Sequence, residues 1–312
     1  NITEMNQTKL TELLLLGFQN PQRLNSVLFA LFLVIYVLTL AGNLLIITLV
    51  VKVRSLESPM YFFLTQLSVC DILLATNTVP NMLHVILNGG ITISFSRCIT
   101  QFFFFGVSAG TECFLLTAMS YDRYLAICRP LHYTAIMDLR LRLHLILWSW
   151  LFTCFLTLII AFLICDVQFC DHVIDHYFCD LAPLLELSCT THTLAELVDF
   201  VLSIPFVTVP FFYVIFTYVS IFIAILRISS SAGRRKAFST CSSHLTVVST
   251  YYGTLITVYI APTKGQSFNV NKVVSLLYTM LNPFLNPIIY SLRNEEIKMS
   301  LKKFISNILR GQ

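Results

Sequence analysis

The chain alternates long apolar stretches with short polar segments. Long stretches without Asp, Glu, Lys or Arg include 24–51, 200–226, 237–263 and 273–292, and each of these has 20 residues or more. Three further stretches are about as long but each contains a titratable residue, and they are roughly 59–87, 98–121 and 144–165. A helix of about 20 residues crosses about 30 Å of hydrocarbon. The pattern therefore predicts seven transmembrane helices, which place the two termini on opposite sides of the membrane.

The predicted fold class is all-α, a seven-transmembrane helix bundle with a short C-terminal amphipathic helix on the inner membrane surface. An extracellular N-terminal tail (1–23) would precede the bundle (24–293), and a cytoplasmic amphipathic helix and tail (294–312) would follow it. The spans are predicted at about 24–51, 58–87, 95–128, 140–165, 196–227, 237–262 and 270–293.

The amphipathic helix in 294–312 is predicted from the helical spacing of its apolar residues. The stripe at i, i+4, i+7 and i+11 consists of Ile297, Leu301, Phe304 and Ile308. Two glutamates begin the segment and two lysines follow, an order that suits the helix dipole. The pattern is typical of a helix that lies on a membrane surface.

Composition and charge agree with a membrane protein and set its orientation. The chain is 56% hydrophobic and 12% charged, against about 25% charged in soluble domains. With the N-terminus outside, 15 of the 20 lysines and arginines lie inside, as the positive-inside rule requires. The N-glycosylation sequons begin at Asn1 and Asn6, in the same outer tail. Residues 1–23 lack a signal-peptide pattern, so the first span is expected to act as the anchor of a multi-pass plasma-membrane protein.

Other function classes find little support in the sequence. A net charge of +4 is too small to favour nucleic acid, and the chain has no Gly-rich phosphate-binding loop. A transporter or channel often shows internal repeats and paired broken helices, but the two halves of this chain show no repeat. No nucleophile–base pair accompanies a catalytic motif, so an enzyme is not predicted.

Four cysteines fall on the predicted outer side, and they are Cys98, Cys170, Cys179 and Cys189. Disulfides are expected in an oxidising compartment. Four cysteines allow three pairings, and spacing alone does not choose among them. His172 and His176 have a spacing that would suit zinc on a helix, but solvated loop histidines are the favoured interpretation. No metal site is predicted there.

Two acids lie near the middle of the membrane. Asp71 and Glu112 would each cost about 2.5–3.5 kcal/mol on insertion scales, so both should face the bundle interior. Asn43, Asn282 and Asn286 lie at comparable depth. Two carboxylates in one apolar site do not both stay ionised without a cation. We hypothesise a sodium ion or a shared proton between them, and the alternative is that both acids are neutral and hydrogen-bonded.

The seventh span contains Pro283 and Pro287, which predict a kink because each proline removes a backbone donor. The carbonyls freed in this way need partners, and Asn282 and Asn286 are placed to supply them. We interpret this segment as a hinge.

Four sequence blocks are similar to those of vertebrate odorant receptors, which are rhodopsin-class G-protein-coupled receptors. They read "SPMYFFLTQLSVCD" (58–71), "MSYDRYLAICRPLHY" (119–133), "KAFSTCSSHLTVV" (236–248) and "PFLNPIIYSLRN" (283–294). The chain resembles the tetrapod subgroup more closely, since Thr263 stands where the fish-like subgroup tends to have arginine. The resemblance implies the disulfides Cys98–Cys179 and Cys170–Cys189.

The resemblance also implies a function. An odorant would bind in the outer half of the bundle, and the receptor would activate the stimulatory olfactory G protein and raise cyclic AMP, at the plasma membrane of olfactory cilia. Arg123 would pair with Asp122 at rest and turn toward Tyr218 and Tyr290 when active. The implied switch and coupling residues are Asp122, Arg123, Tyr124, Tyr218, His244, Asn286, Pro287 and Tyr290. Basic residues on the inner surface would also contact anionic membrane lipid. The alternative is a rhodopsin-class receptor for another small ligand.

Helix phase and family position predict an apolar pocket with a few hydroxyls. The predicted lining residues are Phe102, Phe105, Gly106, Ala109, Gly110, Leu202, Ser203, Phe206, Tyr252, Leu255, Ile256, Tyr259, Leu276 and Thr279. The outer half of the third span carries no acid, so a cationic amine would lack its ion pair. We therefore expect a small, volatile, neutral and mostly hydrophobic ligand, with a hydrogen bond from Tyr259 or Ser203.

Overall fold

A computed structural model describes residues 10–18, 22–53, 56–189, 194–260 and 268–309. The bundle helices are α1 (Gln22–Lys52), α2 (Pro59–Asn88), α3 (Phe95–Cys128), α4 (Leu139–Cys165), α5 (Leu194–Leu226), α6 (Ser231–Ile260) and α7 (268–293). Helix α7 consists of Phe268–Leu276, a π-helical turn at Leu277–Leu281 and the segment Asn282–Arg293. Helix α8 (Glu295–Leu309) follows on the inner side.

The helices form the predicted seven-helix bundle. Six of them, α1 to α5 and α7, are long and apolar enough to cross a membrane, and α6 completes the bundle between α5 and α7. Helices α2 and α3 are the most buried of the six, whereas α1, α4 and α5 present rows of exposed apolar side chains. Because such rows are stable only in hydrocarbon, they mark the lipid-facing surface.

Helix α8 begins with a side-chain cap. Asn294 Oδ1 accepts hydrogen bonds from the backbone N–H groups of Glu296 and Ile297. Ile297 is buried and Leu301 is half-buried, whereas the side chains of Phe304 and Ile308 lie outside the described residues. Contacts with α1 and α7 fix the helix under the bundle.

A small three-stranded sheet on the outer side was not predicted. Strand β1 (Glu12–Leu15) lies in the middle, antiparallel to β2 (Ile91–Ser94) and parallel to β3 (Val173–Ile174). Leu13 and Leu15 are fully buried while Glu12 is exposed, so β1 has the alternation of a half-buried strand. Part of the predicted N-terminal tail is therefore packed structure.

We call the segments 10–18, 91–94 and 166–189 the outer lid. Two disulfides hold it, Cys98–Cys179 and Cys170–Cys189, which are the pairs that the family resemblance implies. Gly17 has φ of +59°, and a Cβ there would lie 2.1 Å from Val85 Cγ1. Only glycine fits this turn, which brings the N-terminal segment down onto α2.

Candidate functional site

A cavity of about 280 Å³ lies between α3, α4, α5, α6 and α7 beneath the outer lid. Eight predicted residues line it, and they are Phe102, Phe105, Gly106, Ala109, Gly110, Leu202, Phe206 and Leu255. The other lining residues are partly apolar, with side chains such as Leu156, Ile160 and Val207, and partly polar. The cavity therefore suits a small and mostly hydrophobic molecule.

Two glycines on α3 allow neighbouring helices to approach the cavity closely. A Cβ on Gly106 would lie 2.7 Å from Thr157 Cγ2 on α4. A Cβ on Gly110 would lie 2.8 Å from Phe206 Cζ on α5. Both contacts are too short for a side chain, so these glycines set the width of the cavity.

Four predicted pocket residues are placed elsewhere. Tyr252 packs against Phe211, and its hydroxyl lies 3.5 Å from Cys113 Sγ. Ile256 is exposed, and Leu276 packs in an apolar cluster below the lid. Thr279 is buried, with its hydroxyl 3.1 Å from that of Tyr177. The side chains of Ser203 and Tyr259 lie outside the described residues.

The tyrosine of α6 that lines the cavity is Tyr251 rather than Tyr252. The Tyr251 hydroxyl donates to the carbonyl of Ala109, at 3.2 Å. One residue along a helix is a rotation of about 100°, so an error of one position moves a side chain from the cavity to a helix interface.

Four further polar residues line the cavity without having been predicted, and they are Thr157, Asp180, Asp199 and Tyr278. Asp180 Oδ2 accepts a hydrogen bond from the Tyr278 hydroxyl at 3.0 Å, and its Oδ1 accepts one from the Leu181 N–H at 2.8 Å. Burial raises the pKa of Asp180, and the negative charge of Asp199 adds to the rise. The position of Asp180 next to the bridged Cys179 was the available signal, because the disulfide fixes that residue over α3.

The outer lid is joined to α7 through a buried lysine. Lys272 Nζ donates to the carbonyl of Gly17 at 2.6 Å and to Asp175 Oδ1 at 2.5 Å, and Lys272 is only 1% exposed.

The two histidines of the outer loop were both expected to be solvated. This expectation holds for His172 but not for His176. His176 is buried, with its Nε2 3.2 Å from Ser275 Oγ. It packs between Tyr177 and Phe178, which stabilises the lid over the cavity.

Below the cavity, the two membrane acids share one partner. The Asn286 side-chain amide donates to both oxygens of Asp71 at 3.1 Å and to Glu112 Oε1 at 3.4 Å. Glu112 also lines the floor of the cavity. Glu112 is therefore in direct contact with the cavity, and Asp71 is linked to it through the Asn286 amide.

The partner of the proline-freed carbonyl differs from the expected one. Asn43 on α1, rather than Asn282 or Asn286, donates to the carbonyl of Pro283 at 3.1 Å. Asn282 instead donates to Thr254 Oγ1 on α6 at 3.1 Å. The geometry of a carbonyl inside a kinked helix depends on tertiary packing, which helix spacing alone does not reveal.

At the inner end of α3, Arg123 pairs with the neighbouring Asp122. Arg123 Nη2 lies 2.5 Å and Nε 3.0 Å from Asp122 Oδ2, and Asp122 is fully buried. Asp122 Oδ1 also accepts a hydrogen bond from the Tyr133 hydroxyl at 2.8 Å. The family resemblance implies such a pair for the resting receptor.

Among the described residues, none of the other implied switch residues is hydrogen-bonded to this pair. The Tyr218 hydroxyl lies 2.5 Å from His244 Nδ1, and Tyr124 packs between α5 and α6. Tyr290 is fully buried, and its hydroxyl has no hydrogen-bond partner within the described ranges. A second cavity, of about 730 Å³, opens on the inner side beside Arg123 and Tyr133.

Comparison with known proteins decides the family. The sequence profile of the olfactory receptor family matches residues 32–308. The human "Olfactory receptor 11L1" is 45% identical over 96% of this chain and 93% of its own length. The mouse "Olfactory receptor 1E16" is 43% identical over 97% of this chain and 96% of its own. The chain belongs to the olfactory receptor family.

A solved structure supports the fold of this olfactory receptor. Squid rhodopsin superposes with a TM-score of 0.66, covering 94% of this chain and 88% of the rhodopsin chain at 16% identity. The fold is thus that of a rhodopsin-like G-protein-coupled receptor. As a member of this family, the protein is a multi-pass membrane receptor for small molecules that couples to a G protein, and it is not an enzyme.

Proposed function

We propose that this olfactory receptor binds a small, volatile and mostly hydrophobic odorant in the outer cavity. The observation that carries the proposal is the cavity between α3 and α5, with a volume of about 280 Å³ and largely apolar walls. That volume is near the lower end of the roughly 300–1,000 Å³ of typical ligand pockets, so it favours compact molecules.

The residues that line the cavity also bear on the charge of the ligand. The sequence predicted a neutral ligand because the outer half of α3 carries no acid. Asp180 and Asp199 nevertheless reach the cavity from the outer lid and from α5. This finding removes the reason for excluding a cationic group. Hydrogen bonds from Ser203 or Tyr259 to the ligand remain predictions.

Binding would favour an arrangement in which Arg123 leaves Asp122 and turns toward Tyr218 and Tyr290. A ligand needs only to bind one of two arrangements more tightly to shift their populations. The inner cavity beside Arg123 would then receive the stimulatory olfactory G protein, which raises cyclic AMP. The buried Tyr290 hydroxyl supports this proposal, because the motion would give it a partner.

We further propose that the N-terminus is extracellular, with glycans at Asn1 and Asn6, which lie outside the described residues. The receptor would act in the plasma membrane of olfactory cilia. Basic residues at the inner ends of the helices would contact anionic lipid, and they include Arg129, Arg234 and Arg235.

The acid pair would hold either a sodium ion or a shared proton. Sodium prefers oxygen ligands, and the two buried carboxylates that share the Asn286 amide supply them. If so, Asp71→Asn should abolish any effect of sodium or pH on the stability of the receptor and on its signalling.

An odorant screen with a cyclic-AMP readout tests the function. Cells that express the receptor are exposed to odorants of several chemical classes, with surface expression measured in parallel. Gly106→Leu should abolish responses by filling the cavity, and Arg123→Ala should abolish signalling without abolishing binding. A receptor at the cell surface whose odorant responses survive Gly106→Leu would show that this cavity is not the binding site.

A further inference from the structure

The ligand cavity contains acids from three different elements. Glu112 lies on α3, Asp180 in the outer lid and Asp199 on α5. No lysine, arginine or histidine is among the described residues that line it. Glu112 at the floor shares the Asn286 amide with Asp71, whereas Asp180 and Asp199 lie at the outer end. Negative charge next to apolar walls is stabilised by a cation or by strong donors, so this end of the cavity favours a positively charged group.

The carboxylate of Asp180 is held in place but retains capacity for further hydrogen bonds. Among the described residues, its two oxygens accept one bond each, from the Leu181 N–H and from the Tyr278 hydroxyl. An ionised carboxylate has about four acceptor positions. The loop and α7 therefore fix the direction of the carboxylate, and the remaining acceptor positions are available to a ligand beside Asp199.

A second and independent observation points to a polar ligand. Thr157 on α4 lines the cavity and is only 7% exposed, yet its hydroxyl has no hydrogen-bond partner in the part of the chain that the structure describes. One turn earlier, the Thr153 hydroxyl bonds to the Ser149 carbonyl and to Thr111. Buried hydroxyl groups normally have partners. A polar atom of a bound ligand would supply the missing one.

We propose that the odorant of this receptor carries a protonated amine, which binds at the Asp180 and Asp199 end of the cavity. This inference rests on the proposed odorant-binding function. An alkyl ammonium group has three donors and stays charged at neutral pH, since amines of this kind have a pKa near 10.4. Its donors would reach the two carboxylates, and the apolar body would pack against Phe102, Phe105 and Phe206.

The test compares molecules that share a carbon skeleton and differ only in the polar group. The probes are cyclohexylamine, cyclohexanol and cyclohexane, together with hexylamine, hexanol and hexane. Cyclic AMP is measured in cells that express the receptor, with surface expression as the reference. We expect at least one amine to activate at a concentration about 10-fold or more below that of its alcohol, as a charge-assisted bond implies.

Two variants assign the effect to named residues. Asp199→Asn keeps the shape but removes the charge, and it should raise the half-maximal concentration of the amine about 10- to 100-fold while changing that of the alcohol by less than about 3-fold. Asp166→Asn is the matched control, because it removes one exposed acid from the same outer side without touching the cavity. Thr157→Val should weaken amine and alcohol alike, since either could bond the hydroxyl.

The outcomes separate this inference from the proposed function. Equal potency of amines and alcohols, or an amine response that Asp199→Asn leaves unchanged, would overturn the inference while the odorant-binding function stands. A receptor at the surface that answers no member of either series, nor any odorant of a wider screen, would overturn the proposed function itself. If Asp199→Asn fails to reach the surface, Asp199→Glu replaces it and should retain the preference for amines.

Discussion

The side-chain amide of Asn43 on α1 donates a hydrogen bond of 3.1 Å to the backbone carbonyl of Pro283 on α7. That carbonyl is the one that Pro287 leaves unpaired, because proline has no N–H to donate to the residue four positions earlier. Asn43 is fully buried and also donates to the carbonyl of Thr39 in its own helix. The bend in α7 is therefore stabilised from α1.

Replacing Asn43 with alanine should lower the stability of the receptor. The variant leaves the Pro283 carbonyl buried and unpaired, which costs about 1–3 kcal/mol. Thermal unfolding of the purified receptor in detergent measures the loss. Thr48→Ala is the control, because the Thr48 hydroxyl bonds only to an exposed carbonyl of its own helix. Equal losses in the two variants would contradict a special role for Asn43.

Lys272 should also contribute to the stability of the receptor, since it joins α7 to the outer lid. It is 1% exposed, and the side chain of its partner Asp175 is 31% exposed. Breaking a buried ion pair costs roughly 3–5 kcal/mol, and the partial exposure of Asp175 favours the lower end of that range. We expect Lys272→Met to lower the unfolding temperature in detergent markedly.

The matched control is Lys298→Met, which removes the exposed pair of Lys298 with Glu295 at 3.6 Å. Exposed pairs contribute about 0–1 kcal/mol, so this variant should unfold close to the wild type. The double variant Lys272→Met with Asp175→Asn should recover part of the loss, because no charge then stays buried alone. If Lys272→Met behaved like Lys298→Met, the lid would not depend on this pair.

The helices were predictable because the bilayer imposes them. Every backbone group in hydrocarbon must be paired within the segment, so a long charge-free run such as 24–51 has few alternatives to a helix. The pairing of Arg123 with Asp122 was accessible because the two residues are adjacent in a recognisable motif.

The outer lid and the polar side of the cavity were less predictable, because they depend on contacts between distant residues. No local pattern reveals the pairing of Lys272, because its partner Asp175 lies 97 positions away in the sequence. The choice between Tyr251 and Tyr252 required a helix phase accurate to one residue. Strand β1 is too short to be recognised before β2 and β3 are placed beside it.

His176 makes the stability of the lid depend on pH. Burial, together with the positive charge of Lys272, lowers its pKa from 6.5 to about 3. Between these two values the unfolded chain binds a proton that the folded lid excludes, so stability should fall as the pH falls from 6.5 toward 3. The slope is at most about 1.4 kcal/mol per pH unit.

Unfolding temperatures at a series of acidic pH values test this dependence. His176→Gln should show a shallower decline than the wild type below pH 6.5. His172→Gln serves as the control, because His172 has a side chain that is 66% exposed and should not alter the slope. Parallel curves for the wild type and His176→Gln would show that His176 is not the source of the acid sensitivity.

Removing the charge of Asp122 should raise signalling in the absence of odorant. Asp122 accepts two hydrogen bonds from Arg123 and one from Tyr133. The bonds between Asp122 and Arg123 stabilise the resting arrangement and would be absent from the active one. A charge-assisted hydrogen bond contributes about 1.5–3 kcal/mol, and each 1.4 kcal/mol of difference between the two arrangements changes their ratio about tenfold. Asp122→Asn should therefore increase basal cyclic AMP several-fold at equal surface expression, and Tyr133→Phe should act in the same direction with a smaller effect.

The control for this prediction is Glu57→Gln, which removes an exposed acid on the inner side and should leave the basal level of cyclic AMP unchanged. Basal signalling of Asp122→Asn at the wild-type level would mean that the pair with Arg123 does not restrain the receptor.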